Sequence, residues 1–145
     1  MSVRDAYHEH VREALERDGW SITADPFLIS FGSTKAEIDL AAEKLLAACR
    51  GTERIAVEVK CFPQSALSGF HTALGQFLNY RIVLEESYPD YTLYLAIPSD
   101  THETFFRQPI VQRVIARYAI NLIVCNIPER TIEQWIPAKP TSEPS

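Results

Sequence analysis

The sequence predicts an α/β fold, a mixed central sheet flanked by helices. Three observations predict it. Short runs of β-branched and aromatic residues recur along the chain, as strands require. Two long stretches carry apolar residues at helical spacing, one opening the chain and one over residues 66–87. After the second comes a nearly unbroken apolar run, residues 91–97, which suits a strand covered on both faces and central in its sheet. Strands that precede a long helix returning to a buried strand make a layered α/β plan.

In order, residues 3–18 read as an amphipathic helix, with Val3, Tyr7, Val11, Ala14 and Leu15 facing the core and Gly19 ending it. Residues 20–23 and 27–31 are short strands separated by Asp25-Pro26, a turn signal. Residues 32–35 form a loop into the alternating run Glu37-Ile38-Asp39-Leu40. Residues 42–50 suit either a helix, by their Ala and Leu content, or a continuing strand. Gly51-Thr52 turns the chain into Ile55-Ala56-Val57-Glu58-Val59-Lys60, and that strand pairs antiparallel with the one carrying Asp39. The long helix that follows is capped by Ser65 or Ser68. Gly75 inside it costs roughly 1 kcal/mol against Ala, which suggests close approach of another backbone. Asp100 and Glu103 resemble a capping box for a helix through Phe106. Pro109 interrupts, a helix continues over 110–118, and strands follow at 120–125 and 131–136.

A chain of 145 residues suits one domain, here residues 1–136, followed by a polar, proline-rich tail over 137–145. The formal net charge of −5 argues against a general DNA-coating protein, because phosphate contacts demand basic surface. DNA contact would need a local patch, a metal ion, an oligomer or a basic partner. The three cysteines, Cys49, Cys61 and Cys125, form no C-x-x-C pair, which leaves zinc and disulfide frameworks without support and favours a reducing, cytoplasmic setting. The N-terminus has no apolar signal segment, and no run approaches the roughly 20 apolar residues that span a bilayer. Nucleotide-binding glycine loops and the G-x-S-x-G elbow are absent.

The chemistry centres on the strand ending in Glu58-Val59-Lys60. Alternation puts Ile55, Val57 and Val59 on one face and Ala56, Glu58 and Lys60 on the other. A solvated strand face explains such a pair blandly. Buried, either ion costs several kcal/mol unless a partner or ligand compensates. Asp39 on the preceding strand supplies a second carboxylate, and the three together can hold a hard cation beside a phosphate. Gln76 and Tyr80, four apart on the long helix, share one face and can hydrogen-bond a nucleic-acid backbone or support a lysine. His8 and Glu9 sit beside the first helix's apolar stripe, either overlooking the acidic cluster or as plain surface residues. Glu43 is a further acidic neighbour by position, with solvent exposure its simpler role.

Asp39, then Glu58-Val59-Lys60, then Gln76 and Tyr80 on the next helix, resembles the PD-(D/E)XK nuclease superfamily, with its restriction-endonuclease-like fold. Ile38 stands where the proline of that signature would be. Asp18-Gly19-Trp20, Ile38-Asp39-Leu40-Ala41-Ala42-Glu43-Lys44, Ala73-Leu74-Gly75-Gln76 and Leu93-Tyr94-Leu95-Ala96-Ile97-Pro98 are similar to the fdxN-element excision controlling factor family, the XisH-type proteins, over nearly the whole chain. That resemblance implies an endonuclease-like fold, a role in programmed DNA excision and rearrangement in cyanobacteria, and an XisI-type companion protein. The Tyr7-His8 pair matches the aromatic-His at the start of the family's first helix.

The resemblance further implies roles. Asp39, Glu58 and the carbonyl of Val59 would hold Mg²⁺ or Mn²⁺. Lys60 would orient a water or neutralise charge on the phosphate, Gln76 would position Lys60 or a phosphate oxygen, and Tyr80, His8 and Glu9 would contact substrate. A homo-oligomer is expected, since so small a core has limited surface for DNA. The alternative is a non-catalytic accessory factor that keeps the fold as a platform for a recombinase, DNA or the companion.

Overall fold

The structure, a computed structural model, describes residues 3–46, 51–61 and 67–138. The elements run α1 (Val3–Arg17), β1 (Ser21–Ala24), β2 (Phe27–Phe31), β3 (Thr34–Ile38), β4 (Leu40–Leu45), β5 (Thr52–Val59), α2 (Leu67–Ser87), β6 (Tyr91–Pro98), α3 (Ser99–Glu103), a 3₁₀ turn (Phe105–Arg107), α4 (Pro109–Arg117), β7 (Leu122–Asn126) and β8 (Thr131–Ile136). Six strands form a mixed sheet in the order β1-β4-β5-β6-β7-β8, and β2 and β3 form a separate hairpin. β5, β6 and β7 are parallel, while β1, β4 and β8 pair antiparallel with their neighbours. This is a mixed α/β architecture with helices on both faces of a central sheet, as the sequence predicts.

Strand alternation divides the core into two layers. Ile55, Val57 and Val59 of β5 join Tyr94 and Ala96 of β6 and Ile123 and Cys125 of β7 under α1, which contributes Val11 and Leu15. Ala56, Leu93, Leu95, Ile97, Leu122 and Val124 face the other way, under Phe70, Phe77 and Leu84 of α2 and Val111 of α4. β6 lies between two parallel neighbours and is buried from Leu93 to Pro98, the central position its apolar run demands.

Several expectations change, and one left open, residues 42–45, is resolved. Glu37-Ile38-Asp39-Leu40 is not one strand: the chain bends at Asp39, so Ile38 enters the α2-side layer and Leu40 the α1-side layer. Residues 42–45 continue β4, because pairing with β5 outweighs their Ala and Leu helix propensity; residues 47–50 lie outside the described ones. The capping box does not form. Pro98 takes the cap position of α3 with no side-chain bond, and Asp100 sits inside the first turn, accepting the N–H of Thr101. Nothing lies within 4 Å of a side chain added at Gly75, so no backbone crowds it. Ser68 is the second residue of α2, not its cap, while Ser65 falls outside the described residues, as do Cys49 and the tail from 139.

Candidate metal-dependent phosphodiester site

The bend at Asp39 places its backbone and carboxylate at the carboxyl end of β5. β4 pairs antiparallel with β5, Leu40 opposite Val57, so the residue before Leu40 meets Glu58. The two acids lock reciprocally. The Asp39 N–H donates to Oε1 of Glu58 at 3.3 Å, and the Val59 N–H donates to Oδ2 of Asp39 at 2.8 Å. The carboxylates therefore share one notch, held by backbone rather than by loose side-chain contact.

Glu58 is only 3 % exposed, which removes the solvated-face reading of the Glu-x-Lys pair. Lys60 Nζ lies 3.5 Å from Glu58 Oε2 and keeps 20 % exposure, a buried acid with a cation at the mouth. Burial first, and the Asp39 charge second, push the Glu58 carboxyl up to about 7, against the opposing pull of Lys60 and of the Asp39 N–H. An acid pair that a single lysine does not fully compensate suits a divalent cation, whose charge relieves the like-charge repulsion and whose preferred ligands are carboxylate oxygens and waters. Val59, whose carbonyl completes the expected ligand set, is the last residue of β5 between them.

Gln76 rides on α2, which covers the sheet face that Ala56 and Glu58 share. Its Oε1 is buried with no hydrogen-bond partner among the described residues. An orphaned buried acceptor costs about 1–3 kcal/mol, so it marks a place where a donor belongs. Tyr80, one turn on, packs partly buried against the α2-side layer.

His8 and Glu9 form a second group with Asp25. Ala24 pairs with Ala41, so the β1–β2 turn lies at the same end of the sheet as Asp39. His8 Nε2 is 2.7 Å from Asp25 Oδ1, and Arg12 Nη1 donates to Asp25 Oδ2 at 2.5 Å. One ligand atom each from His8, Glu9 and Asp25 fall within 4.8 Å of one another. Arg12 already compensates that carboxylate. Sequence reasoning missed both Asp25 and Arg12 here; the spacing of Arg12, four after His8 on one helix face, was the available signal. Glu43 pairs with Arg54 at 3.6 Å on the surface. His71 is exposed.

These features define a mixed-sheet α/β protein with a paired-carboxylate notch at the carboxyl rim of its central strands. The chain belongs to the XisH family, whose model, described as XisH protein, matches residues 1–133. Among solved structures it is similar to an XisH family protein from Nostoc punctiforme PCC 73102, 44 % identical, with a TM-score of 0.83 over 91 % of this chain and 99 % of that one. It is equally similar to a fdxN element excision controlling factor protein from Anabaena variabilis, 44 % identical, TM-score 0.84, covering 92 % of this chain and 99 % of that one. No curated protein matches it. Among the described residues no helix is long and apolar enough to cross a membrane.

Proposed function

We propose that this chain is a controlling factor for programmed excision of a DNA element, with a PD-(D/E)XK-type core that hydrolyses DNA phosphodiester bonds using Mg²⁺ or Mn²⁺. The observation that carries the reading is the reciprocal hydrogen bonding of Asp39 and Glu58 beside Lys60. Family membership supports the excision role, since one similar protein is itself described as a fdxN element excision controlling factor.

Asp39, Glu58 and the Val59 carbonyl would hold the cation, which when bound polarises the scissile phosphate and acidifies a water. The chain's own groups do the rest. The backbone locks at Asp39 and Val59 fix both carboxylates before substrate arrives, so little reorganisation is needed. Lys60, at the mouth of the notch, offers its ammonium to the phosphate oxygens on which charge builds. Gln76 positions Lys60 or a phosphate oxygen, which gives its orphaned Oε1 a donor in the first case. Tyr80 steadies that face of α2, and His8 and Glu9 line the path of the strand along the rim.

The test is DNA cleavage with Mg²⁺ or Mn²⁺ by the wild type and by Asp39→Asn, Glu58→Gln and Lys60→Met. The expected outcome is metal-dependent cleavage by the wild type and a drop of at least about a hundredfold in each folded variant. Equal cleavage by wild type and variants would sink the reading.

One observation favours a second reading, an accessory platform without catalysis. The net charge of −5 leaves little basic surface for DNA, which an XisI-type companion or a second copy of the chain would have to supply. On that reading calorimetry finds no Mg²⁺ binding, while pull-down with the companion succeeds.

A further inference from the structure

The rim that carries Asp39 and Glu58 continues past β5. The parallel strands β5, β6 and β7 end on that same side, the side at which open α/β sheets take their ligands. A cavity of about 390 Å³ opens there, against the ends of β6 and β7 and the first turns of α1. That volume is within the usual range of small-ligand pockets. Tyr7, Pro98, Ile127 and Pro128 supply flat apolar walls, and Asp100 and Asn126 supply polar groups.

The lining chemistry narrows the occupant. Asn126 Oδ1 already accepts the N–H of Glu129, and its Nδ2 adds a donor to the lining. Asp100 Oδ1 accepts the N–H of Thr101, so Asp100 offers its second oxygen as an acceptor. A donor and an acceptor on one cavity lining, together with an aromatic ring, fit a planar heterocycle with its own acceptor–donor edge. No lysine or arginine lines the cavity among the described residues, and the Asp100 charge repels phosphate. Burial, then Asp100, then Cys61 push the Tyr7 hydroxyl up, which ties this ring both to the pocket's acid and to the residue after Lys60. At ordinary strand spacing β6 and β7 lie roughly 5 and 10 Å from β5, within reach of neighbouring nucleotides of one strand.

We propose that this cavity is a nucleobase pocket, in which a base stacks on Tyr7 and pairs its acceptor–donor edge with Asn126 and Asp100. The source of the base, a strand engaged at the Asp39–Glu58 notch, rests on the nuclease reading; the pocket's chemistry does not.

Saturation-transfer NMR on the full chain, with dAMP, dCMP, dGMP, TMP and short single-stranded oligonucleotides as probes, tests it without metal. Saturation should reach the ring protons of all four nucleotides, since each base carries an acceptor next to a donor on one edge. Tyr7→Leu should weaken binding by about tenfold or more. Asn126→Asp keeps an acceptor for Glu129, and so the turn, yet removes the donor; it should weaken binding too. Tighter binding of oligonucleotides than of mononucleotides identifies a strand as the source, and equal binding identifies the free nucleotide. No saturation of any probe at millimolar concentration, or binding unchanged in both variants, overturns the pocket. A wild type that cleaves DNA but holds no base refutes the pocket alone; one that holds bases but never cleaves refutes the nuclease reading alone.

Discussion

Glu58 is the residue on which the chemistry and the stability of the fold meet. In the folded protein its carboxyl keeps a proton up to about pH 7, against an ordinary 4.5 in the unfolded chain. Between those values the folded state binds more protons, so this group's contribution to stability falls as pH rises and levels off above about 7. Metal-free wild type should therefore lose stability relative to Glu58→Gln between about pH 4.5 and 7, by an amount on the order of 2–3 kcal/mol. Thermal melts of both proteins in EDTA across that interval check this. A parallel pH dependence in the two would show that Glu58 is not the strained acid. Adding Mg²⁺ at pH 8 should raise the wild-type midpoint and leave the variant's unchanged. That Glu58 and Lys60 share a face was legible in the sequence because strand alternation fixes it, and Asp39 was singled out by its place on the preceding run, though not by its bend. The partner of His8 was not legible, since Asp25 lies 17 residues away and meets it only once α1 folds over the sheet.

At the scale of elements, two glycines lead to opposite predictions. Gly75 has open space around it within α2, so Gly75→Ala should stabilise by about 0.5–1 kcal/mol and raise the melting midpoint by a few degrees. Gly19 ends α1 at φ +97°, where an added Cβ would come within 3.2 Å of Lys44 Cε, so Gly19→Ala should destabilise by more than that. Leu15, fully buried on the inner face of α1, should cost about 2–5 kcal/mol on truncation to Ala. Denaturant midpoints of the three variants check all of this in one series. α1 and α2 were legible from helical periodicity, and β6 from its nearly unbroken apolar run. β4 was not, because Leu40-Ala41-Ala42-Glu43-Lys44-Leu45 suits a helix locally and becomes a strand through its ladders to β1 and β5. The bend at Asp39 was equally hidden, since it depends on Ile38 and Leu40 finding different layers.

For the whole molecule, charge governs how the chain can meet DNA. With a net charge of −5 it neutralises few phosphates, so its own DNA affinity should be weak and only mildly salt-dependent, with a log–log slope shallower than about −3. A basic companion or a second copy should steepen that slope; fluorescence anisotropy at several salt concentrations reads it. The overall α/β plan followed from the order of the runs. The convergence of the site did not follow from composition, because it depends on an antiparallel β4–β5 pair and a bend meeting at one rim. Mn²⁺-soaked crystals of the wild type, read by anomalous scattering, test that convergence most directly. A shared carboxylate notch predicts a peak in contact with both Asp39 and Glu58. A peak confined to His8, Glu9 and Asp25, or no peak at all, would contradict it.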